Sequence, residues 1–531
     1  MIQVTDLSFG FPQKELYHHI CFTIEQGDHA VLIGSNGTGK STLIDMLLRP
    51  DHYLYDGKIR RENVEEIGLV SQFVKNEKAD VTAYDYLAEP FVALLAESDA
   101  LCAEMAEAED MEAVSERYQA CLDRIDILDA YNYDSNIRQM LASAGLSEIA
   151  DRSTAVISGG EYKLLSIIRC MMGRPQLLIM DEPDVFLDFE NLVGLAKLIN
   201  AYEGTILAVT HNRLLLNQCF DKVLHLENME LQEFPGTYAQ YTRAMLETKI
   251  AMHEQSTKDA EWIEIQEALV EKIRDDATNV SDPRLGRQLR ARVSYLERLQ
   301  KWKTPNPFIE DICHELHFPE LDEDRTIPAI EQTDYSLAFE KPLISDANFR
   351  IEGGEKVALV GANGAGKSSL LNDLYAKLEQ DPAYQGEIAI FRQIYNDDSR
   401  TLSGGERNIA QLKEIMESNA SILFLDEPTS HLDTVAQREL EDALEAYRGT
   451  VLMVSHDFFL IMNCADRVLM LENGTMREMS GRAYRKSIYK KYFGSDIFAA
   501  ERKRKEDEHR INAFLKAGKT AEARKVLETM E

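Results

Sequence analysis

The sequence predicts an α/β fold with mainly parallel sheets that is built twice along the chain. Short apolar runs typical of buried strands alternate with helical stretches, and one set of motifs occurs in both halves at matching spacing. Between the halves, residues 237–303 are almost free of Gly and Pro, apart from 281–286. This segment therefore predicts two long helices joined by a turn near Asp282 and Pro283.

Composition narrows the class of protein. The 531 residues suffice for about three or four domains, and 44% hydrophobic with 28% charged residues is typical of a soluble globular protein. No apolar run approaches the roughly 18 residues that span a bilayer, and the start does not resemble a signal peptide, so we expect a cytoplasmic protein. The seven cysteines form no CxxC pair, which gives no support to zinc or iron–sulfur sites.

The net charge of −33 argues against indiscriminate coating of nucleic acid, because a strongly acidic protein repels bare phosphate backbones. A nucleic-acid partner therefore needs a local basic feature. One exists at 284–303, which holds seven Lys or Arg and one Glu. A solvated helix face is the alternative interpretation of this run.

Two glycine-rich segments predict phosphate-binding loops. Each fits the pattern GxxxxGK[ST] between a strand-like run and a helix, where backbone N–H groups cradle phosphates. The Lys of such a loop contacts the β/γ-phosphates and the Ser hydroxyl binds Mg²⁺. One match can be a chance glycine turn, but two matches with matching downstream aspartates nearly exclude chance. The loop residues are Gly34, Asn36, Gly37, Gly39, Lys40, Ser41 and Thr42, and Gly361, Asn363, Gly364, Gly366, Lys367, Ser368 and Ser369.

An acidic pair and a histidine recur downstream of both loops. The aspartate ends an apolar strand at the sheet edge where ligands bind, so we predict that it coordinates Mg²⁺. The glutamate that follows is predicted to polarise the attacking water. A histidine 29 positions later is predicted to hold the γ-phosphate or that water, although one such histidine alone would more often be structural. These residues are Asp181, Glu182 and His211, and Asp426, Glu427 and His456.

A Ser-Gly-Gly-Glu motif opens a predicted helix 23 positions before each aspartate. Serine and two glycines at a helix start predict a second anion site, and a plain N-cap with a capping-box Glu is the alternative. The constant position before the aspartate favours the anion site. The predicted contacts are Ser158, Gly159 and Gly160, and Ser403, Gly404 and Gly405.

Together these motifs resemble those of ATP-binding cassette proteins: Walker A, a glutamine loop (Gln72 and Gln393), the signature, Walker B and the switch histidine. Two cassettes with a charged helical linker and no membrane segment resemble the ABC-F subfamily, the translation-associated ATPases. The local sequence Glu-Pro-Thr-Ser-His-Leu-Asp at 427–433 supports the resemblance to this subfamily. The resemblance covers about residues 1–490 and implies two P-loop cassette domains joined by a helical-hairpin linker.

The resemblance also implies domain boundaries. We expect a first cassette at 1–236, with an arm-like helical insert at about 84–130. A helical linker at 237–325 and a second cassette at 326–484 follow. The remaining residues, 485–531, are expected to form a charged helical tail that is solvated or frayed.

In the family, the cassettes close head-to-tail on two ATP molecules and hydrolyse them, each loop facing the signature of the other cassette. Gln72 and Gln393 would join the Mg²⁺ ligands, and adenine would stack on Phe11 and Phe339. The implied partner is the ribosome, contacted through rRNA and P-site tRNA by the basic linker segment 284–303. We expect a monomer with intramolecular cassette pairing and no membrane partner. Antibiotic protection, rescue of stalled peptidyl-tRNA and ribosome assembly remain open.

The chain departs from the family pattern in three places, and the first two, which bear on coupling across the cassette interface, predict that the two sites are functionally unequal. The first cassette reads Glu-Pro-Asp-Val-Phe-Leu-Asp at 182–188, where the family usually has Pro-Thr-Asn/Ser-His-Leu-Asp. Only 10 positions separate Gln393 from Ser403, against 86 between Gln72 and Ser158, too few for the usual helical subdomain. The insert is acidic, since 73–157 contains 18 acidic and 6 basic residues, so direct RNA contact by it is not expected.

Two other functions compete with the ribosome-binding ATPase. One is the ATPase subunit of a transporter that works with separate permease subunits, which would need a helical subdomain on each cassette. The other is a scaffold that binds ATP without turnover, against which the intact glutamates and histidines argue.

Overall fold

The computed structural model describes most of both halves. The described residues are 1–12, 14–62, 64, 66–71, 80–105, 110–185, 187–279, 283–301, 316–321, 327–338, 342–393, 404–472, 474–492 and 497–530. Three predicted site residues, Gln72, Phe339 and Ser403, lie outside them.

The first cassette contains a six-stranded sheet and a smaller three-stranded sheet. The large sheet has the order β5-β6-β7-β3-β8-β9, in which the first five strands are parallel and β9 is antiparallel to β8. The small antiparallel sheet has the order β2-β1-β4. The elements are β1 (Ile2–Phe11), β2 (Lys14–Ile24), β3 (His29–Ile33), α1 (Lys40–Leu48), β4 (Asp56–Arg61), β5 (Ile67–Val70), α2 (Ala83–Met105), α3 (Met111–Leu128), α4 (Tyr133–Ala144), α5 (Gly159–Met172), β6 (Leu177–Asp181), α6 (Phe189–Ala201), β7 (Thr205–Val209), α7 (Arg213–Gln218), β8 (Lys222–Glu227) and β9 (Glu230–Pro235).

Two long helices follow the first cassette. They are α8 (Tyr238–Asn279) and α9 (Pro283–Lys301), so the segment predicted as a helix pair with a turn near Pro283 contains two helices. At 1.5 Å per residue, the 42 residues of α8 extend over roughly 63 Å.

The second cassette repeats the large sheet. Its order, β13-β14-β15-β12-β16-β17, matches the first sheet strand for strand, and β10 pairs with β11 beside it. The elements are β10 (Ile330–Ala338), β11 (Pro342–Ile351), β12 (Lys356–Gly361), α10 (Lys367–Glu379), β13 (Ile388–Phe391), α11 (Gly404–Glu417), β14 (Ile422–Asp426), α12 (Thr434–Ala446), β15 (Thr450–Val454), α13 (Phe458–Cys464), β16 (Arg467–Glu472), β17 (Thr475–Ser480) and α14 (Gly481–Tyr492). The predicted α/β fold, built twice, is confirmed.

The central strands are buried on both faces, which is why their sequences are continuous apolar runs. In the first cassette, one cluster packs β1 and β2 against helix α1 and the large sheet, with Leu7, Tyr17, Leu43 and Ile179 fully or almost fully buried. Helix α1 lies directly after the phosphate loop, so this packing fixes the loop at the carboxyl edge of the sheet. The second cassette has the equivalent cluster around α10.

The C-terminal segment corrects one expectation. Helices α15 (Ile497–Lys516) and α16 (Thr520–Thr529) form a compact unit with the linker helices, separate from the unit that holds both cassettes. Their apolar residues pack with Leu246 and Ile250 of α8, and Arg243 donates a hydrogen bond to the carbonyl of Met530 at 3.0 Å. The expectation of a solvated, frayed tail is therefore wrong for the described part, because its helices carry an apolar face alongside their charges.

None of the described helices is both long enough and apolar enough to cross a membrane.

Candidate active sites at the cassette interface

Both phosphate loops have the conformation that their glycines predict. Gly39 and Gly366 precede the first helical residue with φ of +101° and +97°, a region that disfavours residues with a Cβ. Behind Gly39, the Tyr17 hydroxyl donates to its carbonyl at 2.6 Å and leaves no space for a side chain. The loops are therefore preformed around their helix N-termini.

The loop lysines are buried against their own loops. The Lys40 ammonium donates to the carbonyls of Gly34 at 2.8 Å and Ser35 at 2.9 Å. In the second cassette, Lys367 donates to Gly361 at 2.8 Å and to Ala362 at 3.0 Å. Burial lowers the pKa of both lysines, although nearby carboxylates oppose the shift. Each lysine lies where it can exchange loop carbonyls for phosphate oxygens.

A hydroxyl and a carboxylate converge beside each loop. The Ser368 hydroxyl donates to Asp426 Oδ1 at 2.8 Å, and Ser41 makes the corresponding hydrogen bond to Asp181. Burial raises the pKa of Asp181 to about 6, and the neighbouring Glu182 adds to the shift. Hard oxygen donors of this kind fit Mg²⁺, which binds one or two protein oxygens and completes its shell with phosphates and water.

In the second cassette, the glutamate and histidine face each other. Glu427 Oε2 accepts the backbone N–H of His456 at 3.1 Å, and His456 Nε2 lies 3.5 Å from Glu427 Oε1. Among the described residues, Glu427 Oε1 is buried without a hydrogen-bond partner. Burial raises the pKa of Glu427 to about 8 and lowers that of His456 to about 3, so the imidazole is neutral.

In the first cassette, the glutamate meets a residue of the opposite cassette. His431 Nδ1 lies 3.6 Å from Glu182 Oε2. Burial opposes ionisation of Glu182, but His431 together with the positive neighbours lowers its pKa overall. Burial and the Lys40 charge lower the pKa of His211 to about 4, and its Nε2 is buried with no hydrogen-bond partner in the described part of the chain.

The two cassettes contact each other head-to-tail. The backbone N–H of Asn36 donates to Asp433 Oδ2 at 3.4 Å, and that of Asn363 donates to Asp188 Oδ2 at 3.3 Å. Each aspartate also caps the helix that follows it. The Asn36 amide donates in addition to the carbonyl of His431 at 2.8 Å. Each phosphate loop is thus bonded to the loop after the other cassette's acidic pair.

The signature glycines lie opposite the phosphate loops. A cavity of about 540 Å³ is lined by Gly159 and Gly160 of the first cassette and by Lys367, Ser368 and Gln393 of the second. On the other side, a Cβ on Gly405 would lie 1.9 Å from the Asn36 amide nitrogen. The structure therefore places Gly159 and Gly160 opposite the second phosphate loop and Gly405 opposite the first.

Ser158 also acts as the N-cap of α5, which was the alternative interpretation of its motif. Its hydroxyl accepts the N–H of Glu161 at 3.2 Å, and the Glu161 carboxylate accepts the N–H of Ser158 at 2.7 Å. This complete capping box fixes the start of α5, which presents Gly159 and Gly160 to the cavity. Capping and presentation of an anion site are compatible here.

The family comparisons agree with this geometry. The family model described as "ABC transporter" matches residues 17–185 and 344–398, one segment in each cassette. The relatives that match along most of the chain include "ABC transporter F family member 5" of Arabidopsis thaliana, 26% identical over 87% of this chain and 73% of that protein. By these comparisons the chain is similar to ATP-binding cassette proteins, and its relatives include proteins named as members of the F family.

Other relatives of this chain are bacterial and fungal. "Uncharacterized ABC transporter ATP-binding protein YfmM" of Bacillus subtilis is 27% identical over 90% of this chain and 99% of that protein. "Protein GCN20" of Saccharomyces cerevisiae is 26% identical over 91% and 71%. Among solved structures, "Structure of ATP binding subunit of ABC transporter" has a TM-score of 0.32 and 20% identity, and covers 44% of this chain and 90% of that chain.

Sequence reasoning missed residues that make contacts between the two cassettes. Arg213, with a side chain 1% exposed, forms an ion pair with the fully buried Glu441 of the opposite cassette, and Asp457 Oδ2 lies 3.3 Å away. Across the pseudo-symmetric contact, Phe458 instead stacks on Phe189, with ring centroids 5.2 Å apart. One sequence difference could have indicated these contacts. The residue two positions after the predicted switch histidine is Arg213 in the first cassette and Phe458 in the second.

The predicted adenine-stacking residue of the first cassette is accessible. Phe11 is 49% exposed and its ring makes an edge contact with Phe9, with centroids 5.2 Å apart. Adenine stacking on Phe11 stays a prediction.

Proposed function

We propose that this chain is of the ABC-F type, binds two ATP molecules between its cassettes, hydrolyses them to ADP and phosphate, and acts on the ribosome in translation or ribosome protection. The main support is the reciprocal bonding of each Walker A loop to the opposite cassette, through Asn36 with Asp433 and Asn363 with Asp188. In such an arrangement neither site is complete within one cassette, which ties occupancy by nucleotide to cassette pairing. We therefore expect both sites to be filled in the paired state.

The residues have separate roles in the proposed hydrolysis. Lys40 and Lys367 bind the β/γ-phosphates, Glu182 and Glu427 orient and polarise the attacking water, and the neutral His211 and His456 hold the γ-phosphate or that water. Mg²⁺ would neutralise phosphate charge as the leaving group departs. Its proposed ligands are Ser41, Gln72 and Asp181 in the first site and Ser368, Gln393 and Asp426 in the second.

ATP binding would favour the paired cassettes and hydrolysis would release them. This population shift requires the paired state to bind ATP better than the separated state. The cross-cassette hydrogen bonds supply a reason, because the opposite cassette completes each phosphate site. A nucleotide-dependent partner would then be bound in one state and released in the other.

The charge of α9 supports an RNA-containing partner. Arg287, Arg298 and Lys301 are exposed along this helix, and Glu297 is its one acidic residue. A local positive run in a chain with a net charge of −33 is the feature that a phosphate backbone would recognise. The proposed partners are rRNA and P-site tRNA, and the binding is expected to weaken steeply as salt rises.

Co-sedimentation with ribosomes tests this proposal. With ATP, the Glu182→Gln/Glu427→Gln double variant is expected to pellet with ribosomes, because it binds ATP without hydrolysing it and so stays in the paired state. Adding Arg287→Glu, Arg298→Glu and Lys301→Glu to that variant should abolish pelleting. The matched control, Arg502→Glu with Lys503→Glu on the exposed surface of α15, should leave it intact. Failure of the double variant to pellet would contradict the ribosome proposal.

The transporter-subunit alternative receives less support. Ser403 follows Gln393 by only 10 positions, and a helical subdomain that binds a permease would need to lie between them. Retention of the intact chain on washed membranes would revive it. A phosphate-release assay separates both functions from an inactive scaffold.

A further inference from the structure

We propose that His431 of the second cassette is a positioning residue for Glu182 of the first cassette, so that the first site receives its glutamate geometry in trans and the second site does not. This inference rests on the proposed ATP hydrolysis. It concerns a side chain outside the residues predicted for either site.

The contact joins two partly buried polar groups. His431 Nδ1 lies 3.6 Å from Glu182 Oε2, and the two side chains are 17% and 21% exposed. Glu182 has a φ of +46°, a strained value for a residue with a side chain, and Glu427 has nearly the same φ of +50°, so the two glutamates differ in their neighbours and not in their backbone. A cationic or N–H-donating neighbour at this distance restricts where the carboxylate points.

His431 is held in place from several directions. Its φ is +59°, within a turn in which Leu432 N–H donates to the carbonyl of Thr429 at 3.2 Å. Its own carbonyl accepts the Asn36 amide at 2.8 Å, and the preceding carbonyl, of Ser430, accepts the Asn408 amide at 2.6 Å. Immediately afterwards, Asp433 caps α12 by accepting the N–H of Ala436 at 2.9 Å. The imidazole is thus presented by a braced loop.

The bracing itself depends on cassette pairing. Asn36 belongs to the Walker A loop of the first cassette, four residues before Lys40. The loop that binds phosphate in the first cassette therefore also anchors the residue that reaches Glu182. The hydrogen bond from the Asn36 amide to the His431 carbonyl therefore links cassette pairing to the orientation of Glu182. It also links both to occupation of the first phosphate loop.

The second site has different neighbours. In the described residues, Glu427 Oε1 has no hydrogen-bond partner, and the nearby His456 belongs to the same cassette. The residue 245 positions before His431, the same offset that relates Glu182 to Glu427, is Phe186. A phenyl ring carries no N–H donor, and the position of Phe186 lies outside the described residues. At the position equivalent to His431, the sequence therefore supplies a side chain without an N–H donor.

Two backgrounds isolate the two sites. Glu427→Gln leaves only the first glutamate and Glu182→Gln leaves only the second, and single-turnover hydrolysis is measured in each with a saturating concentration of Mg²⁺–ATP. His431→Phe is expected to slow the first background by roughly 10-fold or more. The second background is expected to change by less than about twofold, and ATP affinity by calorimetry should also stay within about twofold in both.

A conservative variant and a remote control separate positioning from interface stability. His431→Gln, which retains an N–H donor, should recover much of the loss in the first background. Tyr492→Phe removes another cross-cassette hydrogen bond, to Glu190 Oε1 at 2.6 Å, and should leave both backgrounds unchanged.

Several outcomes would overturn the inference. These are equal losses in both backgrounds, no loss in the first background, absence of rescue by His431→Gln, or the same site-specific loss with Tyr492→Phe. Absence of phosphate release by the unaltered chain would overturn the proposed ATPase function itself. The wild-type measurement therefore distinguishes failure of that function from failure of the inference.

Discussion

The two glutamates that follow the Walker B aspartates occupy equivalent positions in two matching sheets, yet their environments differ. Glu182 lies beside His431 of the opposite cassette, and its pKa is lowered overall. Burial instead raises the pKa of Glu427 to about 8, and its close histidine, His456, belongs to its own cassette. Duplicated motifs therefore do not ensure duplicated chemistry, because part of each site comes from the other cassette, and those parts have diverged.

The two sides of the cassette interface differ in the same way. On one side the buried Arg213 meets Glu441 and Asp457, and on the other Phe458 stacks on Phe189. An ion network and an aromatic pair respond differently to change, since a buried charge that loses its partner is far more costly than a truncated ring contact. The asymmetry extends from the reaction centres to the helices that join the cassettes.

The largest expected effect separates the two glutamates. Glu182→Gln should lower the steady-state rate of ATP hydrolysis by about 100-fold or more, as expected for loss of a general base. Glu427→Gln should have a clearly smaller effect, because Glu427 is poorly ionised in its buried setting. Phosphate release measured for the two single variants side by side tests this. Equal defects would contradict unequal sites.

The next effect concerns the ion network. Arg213→Met should lower the free energy of unfolding of the paired cassettes by about 3–5 kcal/mol, because Glu441 stays buried without its cation. Phe458→Leu, which removes the aromatic contact on the other side, should cost about 0.5–1.5 kcal/mol beyond lost burial. Urea midpoints of both variants provide the measurement, with Arg213→Lys as the charge-preserving control. Similar losses on both sides would mean that the ion network is no stronger than the ring contact.

Two signature glycines differ in the space available for a side chain. A Cβ on Gly405 would lie 1.9 Å from the Asn36 amide and 2.6 Å from the His431 carbonyl, whereas one on Gly159 meets nothing within 4 Å. Gly405→Ala should therefore destabilise the paired state by about 1–3 kcal/mol, as other overpacked sites do. Gly159→Ala should leave thermal stability unchanged. Thermal melts of both variants test this prediction. If Gly405→Ala melts at the same temperature as the unaltered chain, the contact between Gly405 and the Asn36 loop is less tightly packed than the structure indicates.

The smallest expected effect is the loss of stability when either signature serine, Ser158 or Ser403, is replaced by alanine. Ser158→Ala removes a complete capping box and should cost about 1 kcal/mol of stability. The same loss in Ser403→Ala, measured by the same melts, would indicate that the second signature helix begins in the same way. No loss for Ser403→Ala would extend the asymmetry between cassettes to the signature.

Much of the fold could be predicted because it depends on local patterns. Apolar runs predicted buried strands, and the Gly-rich motifs predicted loops that lead from a strand into a helix, as they do before α1 and α10. The tail was predicted wrongly, since the charges at 501–508 suggested a solvated segment while Ile511 and Leu515 pack on α8. Sequence pattern reveals an apolar face but not which surface will cover it.

The sequence by itself determined the candidate reacting groups of both cassettes, because each proposed chemical role demands a particular residue type at a fixed spacing. Only the tertiary structure decided which groups become neighbours across the interface. The contact between His431 and Glu182 joins residues 249 positions apart, and that between Arg213 and Glu441 joins residues 228 apart. No local periodicity links such pairs, since their proximity follows from the head-to-tail packing of two complete domains. That packing makes two similar sets of motifs into two different sites.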